Sequence, residues 1–333
     1  MSLTIGIAMG DVTGIGPEVT LKALSQEPLA EDCRYVLVGD RGDVLRWCER
    51  LGLDLDLRLY DGQPQTGRFF LHAPSEPLEA GLGAGDARAA RAAVAWLRAG
   101  AELCLCGEFD ALVTAPVNKA AIVRAGERFV GQTEFLSELS GTDRTAMMLL
   151  GEDDRGRALR VVLATTHVPL RRVPDALSRE GIEQAIELAA RACVDLGLPR
   201  ARVAVCGLNP HAGESGLLGK EEEELIGPAV VSMRARGVDV TGPVSADALF
   251  YQVLRGDYDV VVAMYHDQGL APLKMIAFER GVNWTLGLPF VRTSPDHGTA
   301  YDVAHRGVAN PSSMCAALEL AKRLAGVRTT GRK

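Results

Sequence analysis

Leu3-Thr-Ile-Gly-Ile-Ala-Met-Gly-Asp-Val-Thr-Gly-Ile-Gly-Pro-Glu18 sets the reading of the whole chain. The apolar run from Leu3 to Met9 has the look of a buried strand, and the glycines after it turn the chain into a helix expected over 14–26, with Pro17 tolerated in the first turn. The glycine spacing is not G-x-G-x-x-G, and no Walker Lys-Ser/Thr follows, so a tight strand-to-helix turn explains the segment at least as well as a phosphate loop. Working outward, the same alternation recurs. Strands are expected at 33–38, 111–114, 146–150, 159–164, 202–206 and 258–263, and helices at 43–51, 86–107, 119–125, 178–196, 221–236, 246–255 and 311–324. Residues 53–78 read as irregular with short strands. Strand–helix alternation implies an α/β protein built on a largely parallel sheet with helices on both faces. Such sheets bind ligands beyond the carboxyl ends of their strands.

The 333 residues are enough for two lobes, and 47% hydrophobic, 24% charged and 5% aromatic residues make a globular composition. Net charge is −7 and no Lys/Arg run is long enough to follow a nucleic-acid backbone, which argues against that class of partner. The seven cysteines are odd in number and sit mostly in apolar runs, as reduced thiols of a cytoplasmic protein do. The start of the chain reads as a strand rather than a signal peptide, and no apolar stretch has the length of a membrane span.

Three histidines share one context. His167 ends Val161-Val-Leu-Ala-Thr-Thr-His, His211 ends Val203-Ala-Val-Cys-Gly-Leu-Asn-Pro-His, and His266 ends Val260-Val-Val-Ala-Met-Tyr-His. Each lies just past a β-rich run, and only the fold can gather them. Three neutral imidazoles with open positions beyond them make a catalytic site for zinc or a similar ion. The plainer reading is three unrelated loop histidines bonded to backbone. Lys274 and Arg292 stand in apolar surroundings, and with Thr133 and Asn283 they have the chemistry to hold a phosphate or carboxylate; an ordinary surface Lys and a structural Arg are the plainer reading. Asp296-His-Gly-Thr-Ala-Tyr-Asp-Val-Ala304 reads as a loop running into a helix whose N-terminus favours anions.

Together, Met9-Gly-Asp…Gly-Ile-Gly-Pro-Glu18, Thr114-Ala-Pro-Val-Asn-Lys119, Gly131-Gln-Thr-Glu134, Thr165-Thr-His167, Gly207-Leu-Asn-Pro-His-Ala-Gly-Glu214, Met264-Tyr-His-Asp-Gln-Gly269, Gly281-Val-Asn283, Gly287-Leu-Pro-Phe-Val-Arg-Thr-Ser294 and Asp296-His-Gly-Thr299 resemble the 4-hydroxythreonine-4-phosphate dehydrogenase family of pyridoxal phosphate synthesis. Nine motifs in order cover nearly the whole chain. The resemblance implies the two-lobed α/β/α fold of the isocitrate and isopropylmalate dehydrogenase superfamily, with NAD bound without a Rossmann fingerprint. It implies lobes of residues 1–128 plus 289–333 and of 129–288, and a homodimer whose site lies in the interlobe cleft and is shared across the interface. It carries one divalent metal (zinc first, with magnesium, cobalt or manganese as alternatives) onto His167, His211 and His266. It carries substrate contacts onto Gln132, Thr133, Lys274, Asn283 and Arg292, and NAD or NADP onto the loop of His297, Gly298 and Thr299. Four positions in three places depart from the family pattern: Gln132 replaces the usual His, Val12-Thr13 the usual Pro-Ala, and Trp284 a β-branched residue.

The implied reaction is oxidation of 4-phosphooxy-L-threonine to a 3-oxo acid that decarboxylates to 3-amino-2-oxopropyl phosphate. Lys274 and Arg292 offset the substrate's charges. Asp247 and Asp267 are candidates for the base, or for orienting metal-bound histidines from outside. Competing expectations are a dehydrogenase of 4-phospho-D-threonate or 4-phospho-D-erythronate, a metal-dependent hydrolase without a redox step, and a phosphate acyltransferase.

Overall fold

Strands and helices alternate along the computed structural model, which describes residues 2–27, 33–63 and 66–331, with no side chains described beyond residue 328. In chain order the elements are β1 (Leu3–Ala8), α1 (Gly16–Ser25), β2 (Cys33–Val38), α2 (Arg41–Leu51), β3 (Leu57–Leu59), β4 (Phe69–His72), α3 (Ala87–Leu105), β5 (Ala111–Thr114), α4 (Lys119–Arg124) and α5 (Gln132–Leu139). There follow β6 (Ala146–Glu152), β7 (Ala158–Leu163), α6 (Val173–Ala176), α7 (Arg179–Asp195), β8 (Val203–Cys206), α8 (Gly227–Ala235), β9 (Val240–Val244), α9 (Ala246–Arg255), β10 (Val260–Ala263), α10 (His266–Ala277), β11 (Val282–Leu286), β12 (Val291–Pro295) and α11 (Ser312–Gly331).

The chain divides into two compact units, Met1–Asp143 with Leu288–Lys333, and Arg144–Gly287. Residues 129–143 group with the first unit rather than with the segment that follows them. There Phe135 of α5 packs on Phe129 at 5.8 Å between ring centroids, and the Arg98 guanidinium of α3 lies 5.0 Å from the Phe135 ring.

The first unit orders its strands β3-β4-β2-β1-β5-β12, and every pairing is parallel. Ile5, Ile7, Val36, Leu37, Leu112 and Val113 are fully buried, which is why these strands read as unbroken apolar runs. The second unit orders its strands β11-β6-β7-β10-β8-β9. Here β7, β10, β8 and β9 run parallel, while β6 is antiparallel to both β7 and β11. Its core joins Leu163 of β7, Val261 and Ala263 of β10 and Ala204 of β8 to Leu249 of α9 and Leu270 and Leu273 of α10. Each fully buried aliphatic side chain is worth about 1.5–3 kcal/mol, so this cluster fixes α9 and α10 against the strands that carry the histidines.

Several elements differ from the sequence expectation. Asp40 caps α2 by accepting from Asp43 N at 2.7 Å, so that helix starts two residues earlier than its apolar pattern begins. The stretch after β10, read as a polar loop, is α10: Gly269 and Pro272 obscure a buried stripe at Leu270, Leu273 and Ala277. The expected helix over 221–236 opens as a wide turn at Glu222–Ile226 and becomes regular only from Gly227, because Pro228 lacks the N–H that would close an α-turn there. Residues 296–304 form no helix: Ala300 takes φ 43°, and His305 beyond it takes φ 61°, outside helical space, so the next helix waits until Ser312. The anion-favouring helix end expected there is therefore absent. Strands β9, β11 and β12 and helix α5 were not legible in the apolar pattern.

Candidate active site

All three histidines lie just past strands of the second unit, and β7, β10 and β8 are parallel neighbours in that order, so their carboxyl ends lie side by side. His167 follows β7 and His266 opens α10 directly after β10. Their rings are 5.5 Å apart between centroids at 40°. His266 Nδ1 is 2.8 Å from Asp267 Oδ1, and His211 Nδ1 is 2.5 Å from Glu214 Oε1. A carboxylate on Nδ1 fixes the tautomer and leaves the Nε2 lone pair open to a ligand. The hydrogen bond that His211 donates to Glu214 holds the His211 pKa above its ordinary value, with Asp247 adding a smaller electrostatic push. Asp247 itself accepts from Ser245 Oγ at 2.6 Å, and that bond holds its carboxyl below the usual range.

His211 stands on an unusual backbone. His211, Ala212, Gly213, Glu214 and Ser215 all take positive φ, between 44° and 83°. Non-glycine residues enter that region at a cost of roughly 1 kcal/mol or more each and persist only where surroundings impose them. The donor chemistry of the three imidazoles, two with outer carboxylates, fits a divalent transition-metal ion. The structure gathers His167 with His266, Asp267 with His266, and Asp247 with His211. Among the described residues no three His, Cys, Asp or Glu side chains converge closely enough to hold an ion.

Lys274 sits on α10 with Nζ 5.7 Å from the Phe278 ring. Asn283 lies on β11, and its Oδ1 is buried and accepts no hydrogen bond among the described residues. An acceptor in that state calls for a donor from outside the chain.

The remaining expected contacts belong to the first unit. Arg292 of β12 is 2% exposed. Its Nε and Nη2 donate to Thr114 Oγ1 at 3.1 and 2.7 Å, and Nη2 also donates to Gln132 Oε1 at 3.0 Å. Gln132 Nε2 donates in turn to Ala115 O at 3.2 Å. Burial lowers the Arg292 pKa to about 10, which leaves the guanidinium charged at neutral pH. Gln132 and Thr133 form the first turn of α5, so a buried cation and a helix N-terminus lie together. Thr114 opens one of the family-like motifs, but no contact was expected of it. Its signal was a hydroxyl closing an otherwise apolar, fully buried strand.

The turn after β1 and the 296–304 loop are bound to one another. Ile15 N donates to Thr299 O at 3.0 Å, and Tyr301 Oη donates to Asp11 Oδ2 at 2.5 Å. Asp11 N, Gly14 N and Thr13 N are bonded to Pro116 O, Asp11 O and Asp11 Oδ1. These four amides are consumed inside the protein and are not open to a phosphate. His297 Nδ1 is 3.1 Å from Gly298 O. Val12 and Thr13 line a cavity of about 330 Å³ with Asp43, Trp47, Arg50 and His305, and His305 stacks on Trp47 at 5.7 Å. No helix among the described residues is long and apolar enough to cross a membrane.

Residues 31–321 match the family model described as pyridoxal phosphate biosynthetic protein PdxA. The chain is 41% identical over 326 residues to a 4-hydroxythreonine-4-phosphate dehydrogenase of Desulforapulum autotrophicum, covering 95% of this chain and 94% of the relative. It is 43% identical over 333 residues to a D-threonate 4-phosphate dehydrogenase of Cupriavidus necator, covering 96% and 97%. The crystal structure of a 4-hydroxythreonine-4-phosphate dehydrogenase from Klebsiella pneumoniae superposes with a TM-score of 0.84 at 41% identity, covering 98% of this chain and 100% of that one. A β-decarboxylating dehydrogenase from Thermococcus kodakarensis shares the fold at 15% identity and a TM-score of 0.52, covering 98% and 87%.

Proposed function

The chain belongs to the PdxA family of pyridoxal phosphate biosynthetic proteins, and on that premise we propose that it oxidises 4-phosphooxy-L-threonine with NAD or NADP to a 3-oxo acid that decarboxylates to 3-amino-2-oxopropyl phosphate. The observation that carries the reading is the pair of strand-end imidazoles, His167 and His266, 5.5 Å apart with Asp267 on the outer nitrogen of one. His167, His211 and His266 would hold the divalent ion, zinc first by their all-nitrogen donor set, and its Lewis acidity would lower the pKa of the substrate hydroxyl. NAD or NADP, received by the loop of His297, Gly298 and Thr299, would take the hydride from the carbon bearing that hydroxyl.

The side chains supply the rest. The hydroxyl proton passes to a base, for which Asp247 and Asp267 are the candidates. Asp267 already holds His266, and Asp247 borders His211, so each also serves to orient an imidazole. Arg292 and Lys274 offset the negative charge of a small phosphorylated hydroxy acid. Thr133 and the first turn of α5 add donors to its anionic end. Asn283 Oδ1 accepts from a substrate donor. Exposed Leu217, Tyr251, Met275 and Phe278, all in the second unit, supply the apolar surface for a homodimer. The free cysteines fit a reducing cytoplasm.

Turnover by metal-reconstituted enzyme of 4-phosphooxy-L-threonine, 4-phospho-D-threonate and 4-phospho-D-erythronate, each with NAD and with NADP, tests the assignment. The L-threonine derivative is expected to give the highest kcat/KM, and chelation is expected to abolish NAD(P)H formation. A second reading, oxidation of 4-phospho-D-threonate, is favoured by Gln132, one of the residues at which this sequence departs from the pattern it resembles, and by the name of the Cupriavidus relative. It prevails if that substrate turns over faster. Full turnover after complete metal removal would sink both.

A further inference from the structure

Thr165, Gln268 and Glu222 form a polar chain that links the three histidine-bearing strand ends. Thr165 is 8% exposed, and its Oγ1 donates to Met264 O at 2.7 Å, tying the end of β7 to the end of β10. Met264 N donates to Gln268 Oε1 at 2.7 Å, and Gln268 Nε2 donates to Gly207 O at 2.7 Å, tying β10 onward to the end of β8. Leu208 N and Asn209 N, just past β8, both donate to Glu222 Oε1 at 2.7 Å, and Asn209 Nδ2 donates to Glu222 Oε2 at 3.0 Å. Glu222 is 4% exposed and stands at the first residue of the wide turn Glu222–Ile226.

The chemistry explains the placement. Strand β8 ends at Cys206, so the amides of 208 and 209 have no ladder partner, and a buried amide must find an acceptor. One carboxyl oxygen takes both. Two residues on, His211 begins the run of positive-φ backbone, whose strain must be imposed by its surroundings. Gly213 in that run has φ 83°, and a Cβ there would stand 2.7 Å from Glu222 Oε2, so the carboxyl lies directly against the turn.

We propose that Glu222, Gln268 and Thr165 are positioning residues: they hold the loops of His211, His266 and His167 in mutual register, and Glu222 imposes the strained turn that presents His211. The proposal rests on the metal reading of the three histidines, and its test separates the two. Zinc affinity of the full-length protein is measured by competition with a chromophoric chelator for wild type, His211→Ala, Glu222→Ala, Glu222→Gln, Gln268→Ala and Thr165→Val. Hydrogen exchange of residues 207–216 and the melting temperature of each metal-free protein are measured beside it.

Loss of an outer-shell partner typically weakens a metal site by about 10–100-fold. That range is expected for Glu222→Ala and Gln268→Ala, with kcat falling and the KM for cofactor unchanged. Glu222→Gln keeps an acceptor for the two amides and is expected to recover most of the loss. Residues 207–216 are expected to exchange faster in Glu222→Ala. If His211→Ala weakens zinc binding while Glu222→Ala, Gln268→Ala and Thr165→Val all leave it and the exchange unchanged, the positioning role is overturned. If His211→Ala leaves zinc binding unchanged, the metal reading fails, and the exchange of 207–216 alone decides: protection unaltered in Glu222→Ala overturns the proposal. Should Glu222→Ala not fold, Gln268→Ala and Thr165→Val carry the same comparison.

Discussion

Gln132 shows how much one side chain settles. Both ends of its amide are engaged, Oε1 by Arg292 and Nε2 by Ala115 O. It presents a neutral acceptor to a buried guanidinium. Arg292 needs its planar fork for this geometry, because Nε and Nη2 share Thr114 while Nη2 also reaches Gln132. Arg292→Lys is expected to raise the substrate KM about 10-fold or more, equivalent to about 1.4 kcal/mol, with a smaller change in kcat; steady-state kinetics checks it. Asp43 gives a pH prediction. Burial raises its pKa from 3.8 to about 6, so the folded protein binds more protons than the unfolded chain between those values. Stability from this residue is therefore present below about pH 4 and lost as pH rises through 6. Asp43→Asn is expected to raise stability at pH 7.5 by on the order of 2 kcal/mol and to match wild type near pH 3.5. Urea titrations at the two pH values decide it, and an equal gain at both would refute the assignment.

At the scale of elements, α10 matters most. It opens on His266, and it packs on β7 and β10 through a seam with no room to spare. A Cβ on Gly269 would lie 2.5 Å from Val161 Cγ1 and 3.1 Å from Ala263 Cβ. Gly269→Ala is therefore expected to destabilise by about 1–3 kcal/mol despite the better helix propensity of alanine, measurable as a lower urea midpoint. The helix was hidden in the sequence because Gly269 and Pro272 are breakers and its first turn, His-Asp-Gln, is polar. By contrast β1, β2 and β5, buried on both faces, were readable to within a residue from apolar runs alone. Strand β12 was not: Arg292, Thr293 and Ser294 are polar residues in a strand whose five positions are all buried, so no alternation or apolar run announces it.

For the whole molecule, the exposed apolar side chains of the second unit carry the remaining prediction. Met275 is 87% exposed and Phe278 75%, and large apolar side chains left so open mark a partner surface. Wild type is expected to run as a dimer in light scattering. The double variant Met275→Glu, Phe278→Glu is expected to run as a monomer, and a monomeric wild type would overturn the homodimer.

The sequence by itself determined the alternation of elements, the parallel α/β class and the strand-end context of His167, His211 and His266, because each depends on local periodicity or on residues near one another in the chain. Ordered motifs added the family. The tertiary structure alone decided that β10 lies between β7 and β8, that Thr114 and Arg292, 178 residues apart, share hydrogen bonds, and that Glu222 reaches back to the loop of His211. Those pairings follow from strand order and from the need of each buried polar group for a partner, and neither leaves a mark on the spacing of residues along the chain.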